Sequence, residues 1–443
     1  MIVCLFWHFH QPMYKNPVSG RFVLPWVNFH SVKNYRQMAV LSEETEFPST
    51  FNFVPCLLEQ VEDYVLDRAV DPYQQALETR EEDLTERQKE LLRVILPDGP
   101  EDRTISAAAL EAMFSPVDEP GRSREEKLES RRRILDGLLP SYRCLWDRGV
   151  VELTTSAEFH PLLPLIFDLD SASTPEKPAL SFRHPEDGVA QIRRGRAVFT
   201  RFFKREPSGF WPSEGGISTE VAQAVHEEGF AFALTDENIL WKSRPDIRHP
   251  AARMRPYHCR GLTVIFRERE ISDLIGFEYH KWNEKDAVSD LIGRLRSRAS
   301  EGGEEAATVI ALDGENPWAA YRDNGVPFLR ELFGRLRLEP GLVPMTLSGY
   351  LRQAPPAEDI TLTPGTWLGS FDKWVGHPAK NRAWESLNRA REELGPVEDL
   401  LIAEGSDWFW WYGEPETESF DRLFRAFLRS AYRSSRRRPQ EEA

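Results

Sequence analysis

The stretch Ile2-Val3-Cys4-Leu5-Phe6-Trp7-His8-Phe9-His10-Gln11-Pro12 opens the chain with an apolar strand that runs into polar residues and a proline. Comparable short apolar runs follow at residues 50–54, 150–155, 209–211, 229–234, 262–266 and 308–312. Helical periodicity is clear at 286–298 and 327–336. Strands alternating with helical patterns are the signature of βα units around a parallel sheet. About seven of them predict an α/β fold, a TIM-like barrel short of the usual eight strands, with its chemistry in loops at the carboxyl ends of the strands.

Two stretches break the alternation. Residues about 72–148 are dense in Glu and Arg, carry periodic Leu and Ile, and read as a helical insertion whose charges form a solvated, locally paired face. Gln353-Ala354-Pro355-Pro356-Ala357-Glu358 reads as a linker, and helical patterns at 383–394 and 420–432 follow it. The expected organisation is a barrel over 1–355 and a helical C-terminal domain over 356–443 that packs on it.

The 443 residues are 41% hydrophobic and 11% aromatic, enough for a large core. A net charge of −15 argues against a nucleic-acid partner, whose phosphates need a basic surface. The basic run Arg433, Arg436, Arg437, Arg438 reads as a solvated end. Cys4, Cys56, Cys144 and Cys259 form no CxxC pair, hence neither a disulfide framework nor a cysteine zinc site. Neither a signal-peptide pattern nor an apolar run of about 18 residues is visible. No membrane partner is expected, and a cytoplasmic location is the default expectation.

Four polar clusters lie where strands end. His8 and His10 share one face, because strand side chains alternate; they read as metal ligands, substrate donors or satisfied core residues. The run Thr154–Pro161 adds His160, which either joins that pair or is structural. In Gly209-Phe210-Trp211-Pro212-Ser213-Glu214-Gly215-Gly216-Ile217-Ser218 a strand meets a carboxylate, two turn-forming glycines and a helix-capping serine. Trp211 beside Glu214 suits a sugar, whose C–H faces stack on aromatic rings; a surface or capping glutamate is the plain alternative. In Ala311-Leu312-Asp313-Gly314-Glu315-Asn316-Pro317-Trp318, Asp313 is the first charge after a buried-type strand, either reactive or a helix cap, with Glu315 its neighbouring competitor. Two carboxylates at the ends of different strands fit glycosidic cleavage, one protonating the leaving oxygen and the other meeting the oxocarbenium-like centre.

In order along the chain, these clusters resemble the conserved regions of glycoside hydrolase family 57, of the amylopullulanase or α-amylase type. Asp313-Gly314-Glu315-Asn316 and the stretch 367–384, TWLGSFDKWVGHPAKNRAW from Thr366 to its closing Asn381-Arg382-Ala383-Trp384, complete the set. Pro25-Trp26-Val27, Asn52–Pro55, Thr235-Asp236-Glu237, Ser272–Phe277 and Ser406–Trp411 are similar as well. The resemblance implies a (β/α)7 barrel followed by a helical domain, a retaining mechanism on α-glucans, and neither cofactor nor catalytic metal. It assigns Glu214 as nucleophile and Asp313 as general acid/base, which retention places roughly 5–5.5 Å apart. His8, His10, His160, Asp236 and Asp273 are the expected donors and acceptors to sugar hydroxyls; Trp26, Trp211, Trp318 and Trp374 are the expected stacking surfaces. The run 408–412 reads as core of the helical domain. The second region, with Ala157-Glu158-Phe159 before His160, departs from the aromatic-rich form. Three alternatives stay open: a 4-α-glucanotransferase using the same site, a metal-dependent deacetylase-like hydrolase built on His8, His10, His160 and an Asp, and a glycan-binding relative without turnover.

Overall fold

The computed structural model describes residues 1–71, 74–75, 78–86, 124–247, 249–302, 306–356, 358–415 and 417–437. Much of the expected insertion, 87–123, and the tail end 438–443 with Arg438 lie outside the described residues; from Arg124 the insertion continues as the long helix Arg124–Asp147.

Seven strands build the framework: β1 (Ile2–Phe9), β2 (Ser49–Phe53), β3 (Val151–Thr155), β4 (Gly209–Phe210), β5 (Phe232–Asp236), β7 (Leu262–Arg267) and β8 (Ala307–Asp313). All seven expected strands are present, and their pairings are parallel, in the order β7-β5-β4-β3-β2-β1-β8. The short β6 (Tyr257–Cys259) adds an antiparallel partner to β7, β9 (Val343–Pro344) pairs with β1, and β10 (Glu358–Asp359) pairs with β6. These three short segments carry too few apolar residues to register as periodicity. The cylinder closes between β7 and β8 through the turn at Glu268, whose amide donates to Val309 O at 2.7 Å, while Ser272 Oγ accepts from Ala311 N at 3.2 Å.

Every residue of β1 is buried, as befits a strand with apolar packing on both sides. Alternation sorts the two sides. Val3, Leu5, Trp7 and Phe9 face the outer helices, whereas Ile2, Cys4 and Phe6 join Phe232, Leu234, Ile265, Ala307, Val309 and Ala311 in an inner cluster. Leu347 and Tyr350 of the helix Leu347–Gln353 belong to the same cluster. At the carboxyl ends of the inward rows the side chains are polar: His8 on β1, Asn52 on β2 after Thr50, Asp236 on β5, Arg267 on β7 and Asp313 on β8. Register makes His8 the neighbour of both Asn52 and Asp313. The apolar interior therefore carries a polar layer at the carboxyl ends of its strands, where a TIM-type barrel keeps its chemistry.

The C-terminal region is helical from Pro378 onward, through Pro378–Leu394, Glu398–Ala403, Ser406–Trp411 and Glu418–Arg437. Between Glu358 and His377 it is extended or turn-like, which is shorter helical coverage than its composition suggested. Trp374, Trp384, Leu387, Trp408, Phe409 and Phe424 pack in one apolar cluster with Val54, Cys56, Phe159, Leu162 and Ile166 of the barrel. A buried ion pair, Arg391 with Asp187, adds a polar tie between the same two parts, with Arg391 Nη2 3.0 Å from Asp187 Oδ1. Among the described residues no helix is long and apolar enough to cross a membrane.

Candidate active site

Glu214 owes its position to the turn that follows β4. Trp211 N donates to Thr155 O at 2.9 Å, which holds the strand to its last residue. Pro212 then ends the ladder, and Glu214 takes a left-handed backbone with φ 57°, followed by Gly215 at φ 63°. A non-glycine residue in that region costs about 1–2 kcal/mol and persists only where the surroundings hold it. They do: Gly215 N and Gly216 N donate back to Pro212 O and Ser213 O at 2.8 Å, and Thr235 Oγ1 donates to Gly215 O at 2.6 Å. Ser218 caps the helix Thr219–Glu227 through Val221 N, as its position after the two glycines predicts. The Glu214 side chain is part-exposed and reachable, while its oxygens are fixed by residues of the C-terminal region. Trp367 N donates to Glu214 O at 2.9 Å, Trp367 Nε1 donates to Glu214 Oε2 at 2.8 Å, and Ser406 Oγ lies 3.5 Å from Glu214 Oε1.

Asp313 ends β8 on the inward row and is likewise part-exposed. Asn316 Nδ2 donates to its Oδ2 at 3.0 Å. The following Gly314 donates to His8 O at 2.8 Å, and a Cβ at this glycine would lie 2.0 Å from the Phe9 ring, so no larger residue fits the turn. Burial, then the negative charges of Asp407 and Asp313, push the Glu214 carboxyl from 4.5 up to about 8. Burial also raises Asp313, against the Asn316 hydrogen bond and the cationic pull of His10 and Arg267. The Asp313 charge is thus one of the causes that raise Glu214.

Three histidines gather beside them. His10 and His160 stack with ring centroids 3.7 Å apart, and His8 lies 5.2 Å from His160. His160 also holds a left-handed backbone, φ 57°, pinned by Ser406 N donating to its carbonyl at 2.9 Å. His8 Nδ1 pairs with Asn52 Oδ1 at 2.8 Å, His8 Nε2 with His160 Nε2 at 3.2 Å, and His160 Nδ1 with Ser406 Oγ at 2.9 Å. His10 Nε2 reaches both oxygens of Asp407, at 2.9 and 3.0 Å. His10, His160 and Asp407 bring donor atoms within 4.8 Å of one another. Stacked rings direct their in-plane lone pairs side by side rather than to one point, and both nitrogens of His160 are spent on hydrogen bonds. A second acidic group, His184, Glu186 and Asp187, is engaged by Arg391.

The remaining expected site residues divide. Asp236 Oδ2 and Asp273 Oδ1 grip Arg267 at 3.1 and 2.5 Å, and Arg267 lies over the Trp367 ring at 5.5 Å, so both acids bear on the site through that cation. Burial above all lifts Asp236 to about 6. Trp211, Trp318 and Trp374 are each fully buried. Trp211 packs between Phe6, His8 and Trp367 beneath Glu214, Trp318 donates from Nε1 to Gly314 O at 2.9 Å, and Trp374 packs with Trp410 in the C-terminal cluster. None of the three presents a face to a ligand. Trp26 is part-buried and packs on Phe29 and His30 against the main core.

Several site residues escaped the sequence reading as participants: Trp367, Ser406, Asp407, Arg267 and Asn52. Glu315, noted only as a competitor, is buried, and its Oε1 accepts from His10 N, Gln11 Nε2 and Tyr35 Oη at 3.2, 3.2 and 3.1 Å. It ties the β1 and β8 loops together rather than facing the opening. The signal for the C-terminal residues was present in 366–384 and 406–411, but nothing in their spacing shows that they fold back over Glu214.

A family model described as glycosyl hydrolase family 57 matches residues 4–363. In fold, the chain is similar to a GH57 branching enzyme from Thermococcus kodakaraensis crystallised with glucose, with a TM-score of 0.66 at 18% identity, covering 97% of this chain and 89% of that one. The α-amylase AmyC from Thermotoga maritima gives 0.65 at 16% identity over 98% and 93%. The 4-α-glucanotransferase from Thermococcus litoralis gives 0.65 at 17% identity, covering all of this chain and 61% of that one. A match across most of the chain, on a seven-stranded parallel barrel, makes this protein a member of glycosyl hydrolase family 57.

Proposed function

We propose that the chain is a retaining glycoside hydrolase that cleaves α-glucosidic bonds of α-glucans through a covalent glycosyl-enzyme, with Glu214 as nucleophile and Asp313 as general acid/base. What supports this reading is that both carboxyls border one histidine cluster: His8 stands in register beside Asp313 and is linked through His160 and Ser406 to Glu214. Double displacement needs that pair. Glu214 attacks the anomeric carbon while Asp313 protonates the leaving oxygen; Asp313 then takes a proton from the incoming water. Trp367 Nε1 can only donate, so Glu214 Oε2 is held as an acceptor, oriented for attack.

Neighbours in fold that act on α-glucans, by their names a branching enzyme, an α-amylase and a 4-α-glucanotransferase, support the substrate class. Hydrolysis and transfer use the same two carboxyls and differ in what reaches the intermediate. Incubation with maltoheptaose and with pullulan tests the reading: shortened maltooligosaccharides of retained α-configuration are expected. No turnover of either, alongside binding of maltooligosaccharides by calorimetry, would replace it with a binding role.

A further inference from the structure

The hydrogen bonds behind Glu214 can be assigned a direction one after another, starting from a backbone carbonyl. Phe51 O accepts only, so Thr154 Oγ1, 3.3 Å away, spends its hydrogen there. Thr154 then has lone pairs alone for Asn52 Nδ2 at 3.3 Å, which turns the Asn52 carbonyl toward His8. Asn52 Oδ1 accepts from Ser156 Oγ at 3.1 Å and from His8 Nδ1 at 2.8 Å, so the hydrogen of His8 sits on Nδ1. His8 is neutral, because burial and the neighbouring His10 drive its pKa down to about 3, and its Nε2 is therefore a bare acceptor. Across 3.2 Å, His160 Nε2 must donate. Burial and the two other histidines keep His160 neutral as well, leaving its Nδ1 to accept from Ser406 Oγ at 2.9 Å. The serine hydrogen is spent, and what Ser406 offers Glu214 Oε1 at 3.5 Å is a lone pair.

We propose that Ser406 is a positioning residue that accepts the proton of Glu214 in the empty enzyme, its own hydrogen being committed to His160 by a one-way chain anchored on Asn52. The inference rests on the nucleophile reading of Glu214 and deepens it. The acidic groups facing Glu214 from the other elements favour a proton there, against the Trp367 donor, which favours the charge. Asp313 on β8 and Asp407 on the helix Ser406–Trp411 are both acidic, and His10 is engaged by Asp407. The nearby cation, Arg267 on β7, stands behind the Trp367 ring and is shared between Asp236 and Asp273. Burial raises Asp313 too, but Asn316, His10 and Arg267 favour its charge, whereas the charges beside Glu214 are acidic. One proton thus serves two carboxyls. Leaving Glu214 Oε1 and arriving on an oxygen of Asp313, it turns a resting site into one with an ionised nucleophile and a protonated acid, with no change in proton count. Substrate binding drives that move.

The test is an infrared titration of the whole enzyme without substrate, following the carboxylic C=O band that Glu214→Gln abolishes. In the wild type that band persists at neutral pH and is lost with a midpoint near about 8. Ser406→Ala lowers the midpoint by roughly half to one pH unit, the scale of one neutral hydrogen bond, and shifts the basic limb of kcat/KM, where the shared proton is lost, the same way. Ser406→Thr keeps the hydroxyl and the wild-type midpoint. Asn52→Ala, which frees the chain to reverse, lowers the midpoint too and serves if Ser406→Ala does not fold. A hydroxyl that donated to Glu214 would give the opposite sign, so a raised or unmoved midpoint in Ser406→Ala overturns the inference, as does the lack of the band in wild type at neutral pH. Because the band is read without turnover, its outcome is separate from that of the substrate assays.

Discussion

Replacing Glu214 with glutamine keeps the shape of the side chain and removes its titration. The carboxyl rises from 4.5 to about 8, first through burial and then through Asp407 and Asp313. Between those values the unfolded chain has released its proton while the folded chain retains it. The unfolded state then binds fewer protons, so the stability of the wild type falls as pH climbs from 4.5 to about 8. At about 1.4 kcal/mol per pH unit, the loss by neutral pH has a ceiling of ~3 kcal/mol, and solvent at the part-exposed carboxyl reduces it to about half that. Glu214→Gln escapes this penalty. Urea unfolding followed by tryptophan fluorescence should find the variant and the wild type equally stable near pH 4.5 and the variant more stable by about 1.5 kcal/mol at neutral pH. A difference that does not grow with pH, or a variant less stable than wild type at neutral pH, would refute the reasoning.

Other expectations follow from single contacts. Asp313→Asn removes the group that moves the proton and should lower kcat by about 10²–10⁴-fold with an unchanged circular dichroism spectrum. Trp367→Phe deletes the 2.8 Å donor to Glu214, which should shift the basic limb of kcat/KM, set by loss of the Glu214 proton in the free enzyme, to higher pH and cost about tenfold or more in kcat. Asp407→Asn removes a charge that raises Glu214, so the same limb should move to lower pH. Arg391→Leu leaves Asp187 buried and unpaired, and urea unfolding should report a loss of about 3–5 kcal/mol.

The barrel was legible because parallel strands buried on both sides are rich in apolar residues, most plainly β1 and β8, while β2 and β3 carry buried polar residues such as Thr50, Asn52 and Glu152 that pair with one another or with neighbours. The chemistry was legible for a related reason. On β1 and β8 the inward row is apolar until its last step, where His8 and Asp313 stand. Glu214 was marked by Pro212 and the two glycines after it, of which Gly215 takes a left-handed φ and Gly216 leaves no room for a Cβ beside Leu162 and Ser213 O. What periodicity does not carry is long-range return. Ser406 and Asp407 reach Glu214 and His10 from almost the other end of the chain, and a serine before a tryptophan-rich helix looks the same whether it caps a core helix or completes a site. The tryptophans misled for a complementary reason: a ring that suits a sugar also suits a core, and Trp211, Trp318 and Trp374 are spent on packing. The loop from Glu358 to His377 read as helical domain because its content is mixed, whereas it is drawn out by bridging Ile217 and Glu214.

The most direct test of the account is to trap the glycosyl-enzyme. An α-glucosyl fluoride bearing a second, deactivating fluorine on the ring should inactivate the enzyme with a mass increase of one sugar, and peptide mass spectrometry should find that sugar on Glu214. Labelling of Asp313 or another residue, or turnover with inverted anomeric configuration and no covalent species, would contradict it.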